Sequence, residues 1–248
     1  LGTLQAHYTD FHYIRTIWKE TTERDALLGV SMTGIASGAI EELDLKEAVD
    51  VAKITNNEWA DELGINRAAR VSCVKPAGTS SLVLGTSSGI HAWHSDYFIR
   101  TIRYNKEEPI VGFLQANVPE LVQEDKSNAN QVVVLIPQKA PEGAITRDES
   151  AIDFLERVKR VSEDWVAGGH NDGMNSHNVS ATINVREAEW DLVRDWMWIN
   201  RECYIGLSMI GYIYDLEDGI EQQMPLTACD EETYQHYLNY LDKVDFKL

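Results

Sequence analysis

Three cysteines in 248 residues, Cys73, Cys203 and Cys229, are too few and too scattered for a disulfide framework or a four-thiolate zinc site. Their scarcity favours a reducing, cytoplasmic compartment. No apolar run approaches the roughly 18 residues that cross a bilayer. No basic-then-apolar leader is visible either, so neither a membrane span nor a secretion signal is expected. Proline is scarce, six in all, and no internal repeat or low-complexity segment stands out. Positive charge is the most informative shortage: 22 Lys and Arg stand against 40 Asp and Glu, a formal net charge of -18. Such a surface repels polyphosphate backbones and anionic lipid, which argues against a nucleic-acid groove. A single nucleotide is not excluded, because a local nest of backbone amides can hold a phosphate whatever the net charge. The chain opens Leu1-Gly2-Thr3 without an initiator Met, which leaves processing, trimming or membership of a longer polypeptide open.

Apolar residues are plentiful at 44%, enough for the core of one large domain or two small ones. Periodicity predicts a helix over 10–27, with Phe11, Ile14, Ile17 and Trp18 on one face. LLGVSMTGI, residues 27–35, reads as a short buried strand or turn leading to Gly34. A second helix fits 44–63, with Leu45, Ala48, Val49, Ala52 and Ile54 as its stripe, Asp44 as N-cap and Glu47 completing a capping box. A short strand around 71–74, a turn at 76–78 and a helix start at Thr79 follow. QVVVLIP, from Gln131, is a continuous β-branched run suited to a strand covered on both faces. Ser150 caps a helix reaching Ala167, with Ile152, Leu155, Val158 and Val161 inward. HNVSATINV, 177–185, is a strand; a helix with Trp190, Trp196 and Trp198 covers 187–201. A strand over 204–214 and a helix over 231–243 complete the chain. Strand and helix alternate without a hairpin signal, which predicts an α/β architecture with a largely parallel sheet. Four or five strands are too few to close a large barrel, so the sheet is open or is half of something.

The stretch KPAGTSS, Lys75 to Ser81, is the strongest candidate for binding. A strand ends at Val74, Pro76 stops the ladder and Gly78 lets the backbone turn tightly. Thr79, Ser80 and Ser81 then present hydroxyls and free amides at a helix start, an arrangement suited to phosphate. Its spacing is neither that of a P-loop nor that of a dinucleotide-binding turn, and an ordinary capped turn would look the same. Lys75 is expected to point to solvent. Ser88, Gly89, His91 and Trp93 read as a tight loop that a ligand could approach. His91 with His94, and His170 with His177, lack further ligands at zinc spacing, so no metal is expected. Cys73 and Cys203 sit in apolar strand contexts, where thiols are inert small hydrophobes, and Cys229 lies beside acids that raise its pKa.

Several of these pieces occur together and in order in one family. VKPAGTSSLVLGTSSGIHAWHSDYFIRTIRY resembles the segment of adenosylcobalamin-dependent ribonucleotide reductases in which a V-K-P-x-G-T-x-S turn precedes G-x-S-x-G-I-H and an I-R-x-I/V-R strand. LLGVSMTGI is similar to that family's G-V-x-x-T-G-[IV] segment. QVVVLIP, NVSATINV and GLSMIGYIYDLEDGIEQQMPLTACDEETY resemble its later barrel strands. The resemblance extends over nearly the whole chain. It implies the C-terminal half of a ten-stranded α/β barrel of the ribonucleotide reductase and glycyl-radical type, filling 1–248. It further implies that Ala77, Gly78, Thr79, Ser80 and Ser81 hold the di- or triphosphate of a ribonucleotide. The implied cofactor is adenosylcobalamin, and the implied partners are the reductase's N-terminal half and a thiol reductant such as thioredoxin.

The departures from that pattern carry expectations of their own. The family's finger-loop motif with the radical cysteine, its first reducing cysteine and its C-terminal cysteine pair are not among these residues. Cys73, Cys203 and Cys229 are therefore expected to be structural thiols, and the isolated chain is expected not to reduce ribonucleotides without the N-terminal half. A reductase of the same fold using a diiron partner or a glycyl radical is the nearest alternative. Against the first, Tyr234, Tyr237 and Tyr240 fit helix-face spacing better than a radical relay. A non-catalytic nucleotide-binding fragment and an unrelated phosphosugar enzyme are the others; no visible acid–base pair supports the last.

Overall fold

The computed structural model describes residues 1–38, 40, 43–212 and 219–245. In chain order the elements are α1 (Gly2–Ala6), α2 (Thr16–Asp25), α3 (Leu45–Leu63), α4 (Ser80–Val83), β1 (Tyr97–Asn105), α5 (Pro109–Asn117), β2 (Val122–Glu124) and β3 (Gln131–Lys139). They continue with α6 (Ala151–Val161), β4 (Thr182–Val185), α7 (Trp190–Ile199), β5 (Ser208–Gly211), β6 (Leu226–Ala228) and α8 (Glu231–Leu241). The chain divides into two compact units, Leu1–Ala92 with Glu149–Tyr212, and Trp93–Asp148 with Ile213–Leu248.

The first unit is built on parallel backbone pairing. Leu28 and Val30 donate to the carbonyls of Arg70 and Val71, and Cys73 donates back to Val30. On the other side Val74 donates to Asn178 and Ser180 returns a bond to Val74. β4 then pairs with β5 in parallel, from Thr182↔Ser208 to Val185↔Gly211. Four extended segments therefore lie in the order 28–33, 70–74, 178–185, 208–211, with helices as crossovers between them, the α/β pattern expected from the alternation of elements.

Helices α3 and α6 supply the other side of the core. Asp44 accepts from the amides of Lys46 and Glu47, and Ser150 accepts from Asp153, so both helices start on side-chain caps. Leu45 and Val49 of α3 and Phe154, Leu155, Val158 and Val161 of α6 pack with Val74, Val179, Ala181, Ile183 and Val185. Past α6 a π-helical turn, Ser162–Val166, brings Trp165 onto the second strand segment. Its indole donates to the Cys73 carbonyl at 3.1 Å, while the Ser72 hydroxyl donates to the Trp165 carbonyl at 2.6 Å. The chain can come this close only because residue 169 is glycine: a Cβ there would lie 1.9 Å from Ser72 Oγ and 2.9 Å from Ser72 N.

Two sequence expectations change in this unit. The helix foreseen over 10–27 is confined to Thr16–Asp25, ended by Ala26 in the left-handed region at φ 41°. Its stripe does not face a core: Ile17 and Trp18 are 52% and 57% exposed, and Ile54 on α3 is 56% exposed. Periodicity reports that a face is apolar, and tertiary structure decides what, if anything, covers it. The strand foreseen over 204–214 is regular only at Ser208–Gly211, and residues 213 and 214 lie outside the described residues.

The second unit corrects the expectation of a largely parallel sheet. Its four strands run in the order β2-β3-β1-β6, all antiparallel. β1 and β3 pair along their full length, from Tyr97↔Lys139 to Asn105↔Gln131. α5 and β2 stand between β1 and β3, so no tight turn joins that pair, while β2 and β3 are joined by the short connection 125–130, closed by Asp125 N to Gln131 O and Gln131 N to Asn128 O, which carries no Asn-Gly signal. The run Val132–Leu135 is wholly buried, which in sequence looks like a parallel strand. Tyr237 and Tyr240 of α8 pack with Leu114, Val118, Leu121 and Val134, the helix-face role their spacing suggests.

The glycines give a direct check on both units. Gly169→Ala is expected to destabilise the protein by about 1–3 kcal/mol, from the forced shift against Ser72. Gly112→Ala, in α5 with open space around the added methyl, is expected to stabilise by up to ~1 kcal/mol. Urea unfolding of the two variants measures the difference in sign.

Candidate functional site

The candidate loop leaves the 70–74 segment at its C-terminal end and occupies 75–91, where ligands of α/β proteins characteristically bind. A second small-residue segment, 31–37, is laced to it. The Thr33 hydroxyl donates to the Ser87 carbonyl at 2.9 Å and accepts from the Gly89 amide at 2.8 Å. Gly34 N donates to Ser87 O and Ile35 N to Gly89 O. Ser37 Oγ and Thr86 Oγ1 are 3.0 Å apart. Gly34 sits at φ +80° with a notional Cβ 2.3 Å from Thr86 Oγ1, so both conformation and space require glycine there.

Within the loop, 87–91 folds back over its own start. Gly89, at φ +58°, lies where a Cβ would be 2.7 Å from the Lys75 carbonyl oxygen. The Ala77 amide donates to Ser88 Oγ at 2.9 Å, and the Lys75 amide donates to Ser31 Oγ at 3.1 Å. The Lys75 side chain is exposed, as expected. Ser81 N donates to Ala77 O, and the Thr79 and Ser80 carbonyls accept from Val83 and Leu84. That leaves the amides of Gly78, Thr79 and Ser80 with no acceptor among the described residues, and all three residues are exposed. Ala77 is half-buried and Ser81 is 2% exposed. The five residues singled out from sequence thus form one contiguous turn, in which the middle three face solvent and the outer two are engaged in its shape.

His91 is held more closely than sequence suggested. Thr182 N donates to its Nε2 at 3.0 Å, so Nε2 carries the lone pair, and the proton on Nδ1 points to the Ser88 carbonyl at 3.2 Å. Burial pushes this imidazole below its ordinary pKa, opposed by the Ser88 carbonyl; Arg157 adds to the fall and Glu149 offsets it. Arg157 forms a bidentate pair with Glu149, 2.6 and 2.7 Å, the two side chains only 14% and 10% exposed. Trp93 and His94 fall in the second unit, where Trp93 pairs with Thr146 and His94 meets the Phe98 ring edge. Sequence reading overlooked the Glu149–Arg157 pair, since neither residue belongs to a motif, and did not assign the hydroxyls of Thr33 and Ser88 a task. No group of three or more His, Cys, Asp or Glu placed to hold a metal occurs among the described residues. No helix among them is long and apolar enough to cross a membrane.

All three thiols are pushed up in pKa, Cys73 and Cys203 chiefly by burial. Cys229 reaches about 11, through burial first and Asp230 second. Cys203 lies in a turn after α7 rather than in a strand, which corrects the sequence reading of its context.

This architecture, parallel segments with a small-residue loop at their C-terminal ends, is found in a known structure. The fold matches the crystal structure of a B12-dependent (class II) ribonucleotide reductase with a TM-score of 0.79 at 21% identity, over 98% of this chain and 38% of that one. The chain is also similar in sequence to proteins named adenosylcobalamin-dependent ribonucleoside-triphosphate reductase. The identity is 29% to the one from Euglena gracilis, over 92% of this chain and 32% of the relative. It is 26% to that of Lactobacillus leichmannii, over 73% and 23%. To the probable enzyme of Dictyostelium discoideum it is 25%, over 96% and 32%. The chain therefore spans at most about a third of the length of these relatives. No protein-family profile matches it. The fold is accordingly one shared with part of that class II reductase, α/β as read from the sequence, and the match takes in the antiparallel unit as well.

The clamp on the loop can be tested without a ligand. Thr33→Val removes a hydroxyl with both bonds made and is expected to destabilise by about 1–3 kcal/mol, measured by chemical unfolding. The thiols give a second check. Cys229 in the folded protein is expected to react with a disulfide reagent at pH 8 about a hundredfold more slowly than in the unfolded chain. Mass-spectrometric labelling measures it.

Proposed function

We propose that residues 1–248 are the C-terminal portion of the catalytic barrel of an adenosylcobalamin-dependent ribonucleotide reductase, and that their share of the chemistry is to grip the phosphates of the ribonucleotide. One observation carries this reading. The separate segments that resemble the reductases are brought side by side by parallel backbone pairing: Val30 of LLGVSMTGI with Ser72, Val74 at the head of VKPAGTSS with Val179 of NVSATINV, and β4 with β5 in GLSMIG. The loop lies at the end of those segments where substrates of such folds bind.

The residues of the turn divide the task. Gly78, Thr79 and Ser80 offer three unengaged amides, and Thr79 and Ser80 add hydroxyls. Ala77 and Ser81 shape the turn through Ala77 N to Ser88 Oγ and Ser81 N to Ala77 O. Helix α4 is a single turn, too short for a developed macrodipole, so affinity rests on the amides themselves. Neutral donors suit a chain of net charge -18, in which a cationic pocket would be drawn into ion pairs with its own carboxylates. Fixing the phosphates fixes the sugar, and orientation is the protein's main lever on a radical reaction.

Adenosylcobalamin, when bound, supplies the radical that starts the chemistry. Two cavities among the described residues of the first unit do not fit it. An apolar one, about 430 Å³ beside Trp190, Met197 and Trp198, is far too small for a corrin, and its cations are Arg194 and Arg201. The polar one, about 340 Å³ around Lys159, His177 and Cys203, is smaller still. Cofactor binding, the radical cysteine and the electron-supplying thiols fall to the rest of the proposed enzyme, the N-terminal half of the barrel and the C-terminal cysteine pair, with a thiol reductant such as thioredoxin as electron donor in the cytoplasm. The names of the relatives support a ribonucleoside triphosphate as the substrate.

Ser80 is the first residue of α4, a position that tolerates proline, so Ser80→Pro deletes one amide and one hydroxyl while keeping the turn. In the intact protein, Ser80→Pro and Thr79→Val are each expected to weaken ribonucleoside triphosphate binding about tenfold or more, the worth of one charge-assisted hydrogen bond. Isothermal titration measures it, and parent-like affinity in both variants would remove the phosphate role. Formation of deoxyribonucleotide by the intact protein with adenosylcobalamin and a dithiol tests the activity separately.

A further inference from the structure

His91 belongs to no catalytic set, yet both of its ring nitrogens are committed. A backbone N–H can only donate, so the Thr182 amide at 3.0 Å fixes Nε2 as the acceptor and Nδ1 as the donor toward Ser88 O. Ser88 in turn receives the Ala77 amide on its hydroxyl. The ring is further fixed edge-on to Phe154, centroids 5.8 Å apart at 77°. Arg157, pinned by Glu149, stacks on Phe154 and reaches the Ile90 carbonyl. A line of contacts therefore runs from the first residue of β4 through His91 and Ser88 to the start of the turn at Ala77. Protonating His91 would set Nε2–H against the Thr182 N–H, donor to donor, and break that line at its first link.

We propose that His91 is a positioning residue: as the neutral, Nδ1-protonated imidazole it ties β4 to Ser88 and thereby sets the backbone of the Ala77–Ser80 turn for the phosphate it grips. The final step rests on the phosphate reading; the tie itself does not. The charged groups facing the imidazole are Arg157 and Glu149, which largely offset each other as a pair, so its state follows burial and the two hydrogen bonds. Because folding holds this imidazole neutral, the tie is complete above the ordinary histidine pKa of about 6.5 and is lost as the pH falls through the lower folded value.

Three substitutions in the intact protein separate the two bonds. In His91→Asn the side-chain amide can replace Nδ1 but not reach Thr182. In His91→Gln its carbonyl can replace Nε2 at the greater reach. His91→Phe keeps the ring and loses both. Hydrogen–deuterium exchange is followed in peptides containing Ala77 and Thr182, and ribonucleoside triphosphate affinity is measured by titration from pH 5.5 to 8. His91→Phe is expected to speed exchange at both places about tenfold. His91→Asn is expected to speed it mainly at Thr182 and His91→Gln mainly at Ala77, a split that general destabilisation would not produce. Affinity is expected to fall several-fold in His91→Phe at pH 7.5, and the loss of affinity at low pH is expected to be smaller in His91→Gln than in the parent. Unchanged exchange in all three, or uniform acceleration across the unit, overturns the tie. If exchange splits as expected and Ser80→Pro weakens binding while no His91 variant does, the coupling to phosphate is overturned. If neither Ser80→Pro nor any His91 variant alters affinity, the phosphate reading fails and the tie stands on the exchange data alone.

Discussion

The absence of a side chain at residue 89 is the constraint on which the loop depends. With no Cβ, Gly89 adopts φ +58° and lets 87–91 lie against the Lys75 carbonyl, at a distance any other residue would close to 2.7 Å. Three separate hydrogen bonds become possible once the chain is that near: Gly89 N to Thr33, Ile35 N to Gly89 O, and Ala77 N to Ser88. The turn at Gly78–Ser80 keeps its amides free because its neighbours are fully used. Openness at three residues is maintained by closure at those around them.

The same economy appears in the electrostatics. A chain with 40 acids cannot spread cations over a binding face without pairing them, and the described arginines are largely so paired: Arg67 with Asp61, Arg103 with Asp125, Arg157 with Glu149. Peptide dipoles carry no net charge and are not neutralised this way. An anion site made of amides is therefore compatible with a strongly acidic protein, provided the anion is small and locally held.

The parallel pairing of the first unit also leaves visible edges. Val30 in the first segment and Ile210 in the last are exposed, as are Trp198 and Ile199 on α7. A parallel sheet with apolar residues exposed at both margins is an unusual end state for a free-standing domain, since such sheets are ordinarily covered or closed. It accords with a chain that matches about a third of the length of its relatives.

Sequence by itself determined the local elements wherever a physical signal was self-contained. Asp44 and Ser150 as caps, the inward stripe of α6, the turn at 76–78 and the buried character of Val132–Leu135 all follow from side-chain chemistry within a few residues. The resemblance carried by KPAGTSS and its companions extended this to the fold of the first unit and to the candidate turn. Strand direction in the second unit was decided only by tertiary structure, because a continuous apolar run is the same in either orientation and α5 and β2 stand between β1 and β3. The exposure of Ile17 and Trp18 was likewise invisible, since periodicity fixes a face but not its partner. So was the task of His91, whose bonds join residues 88, 91 and 182: the atom that fixes its tautomer lies 91 positions away, and no local pattern can specify it.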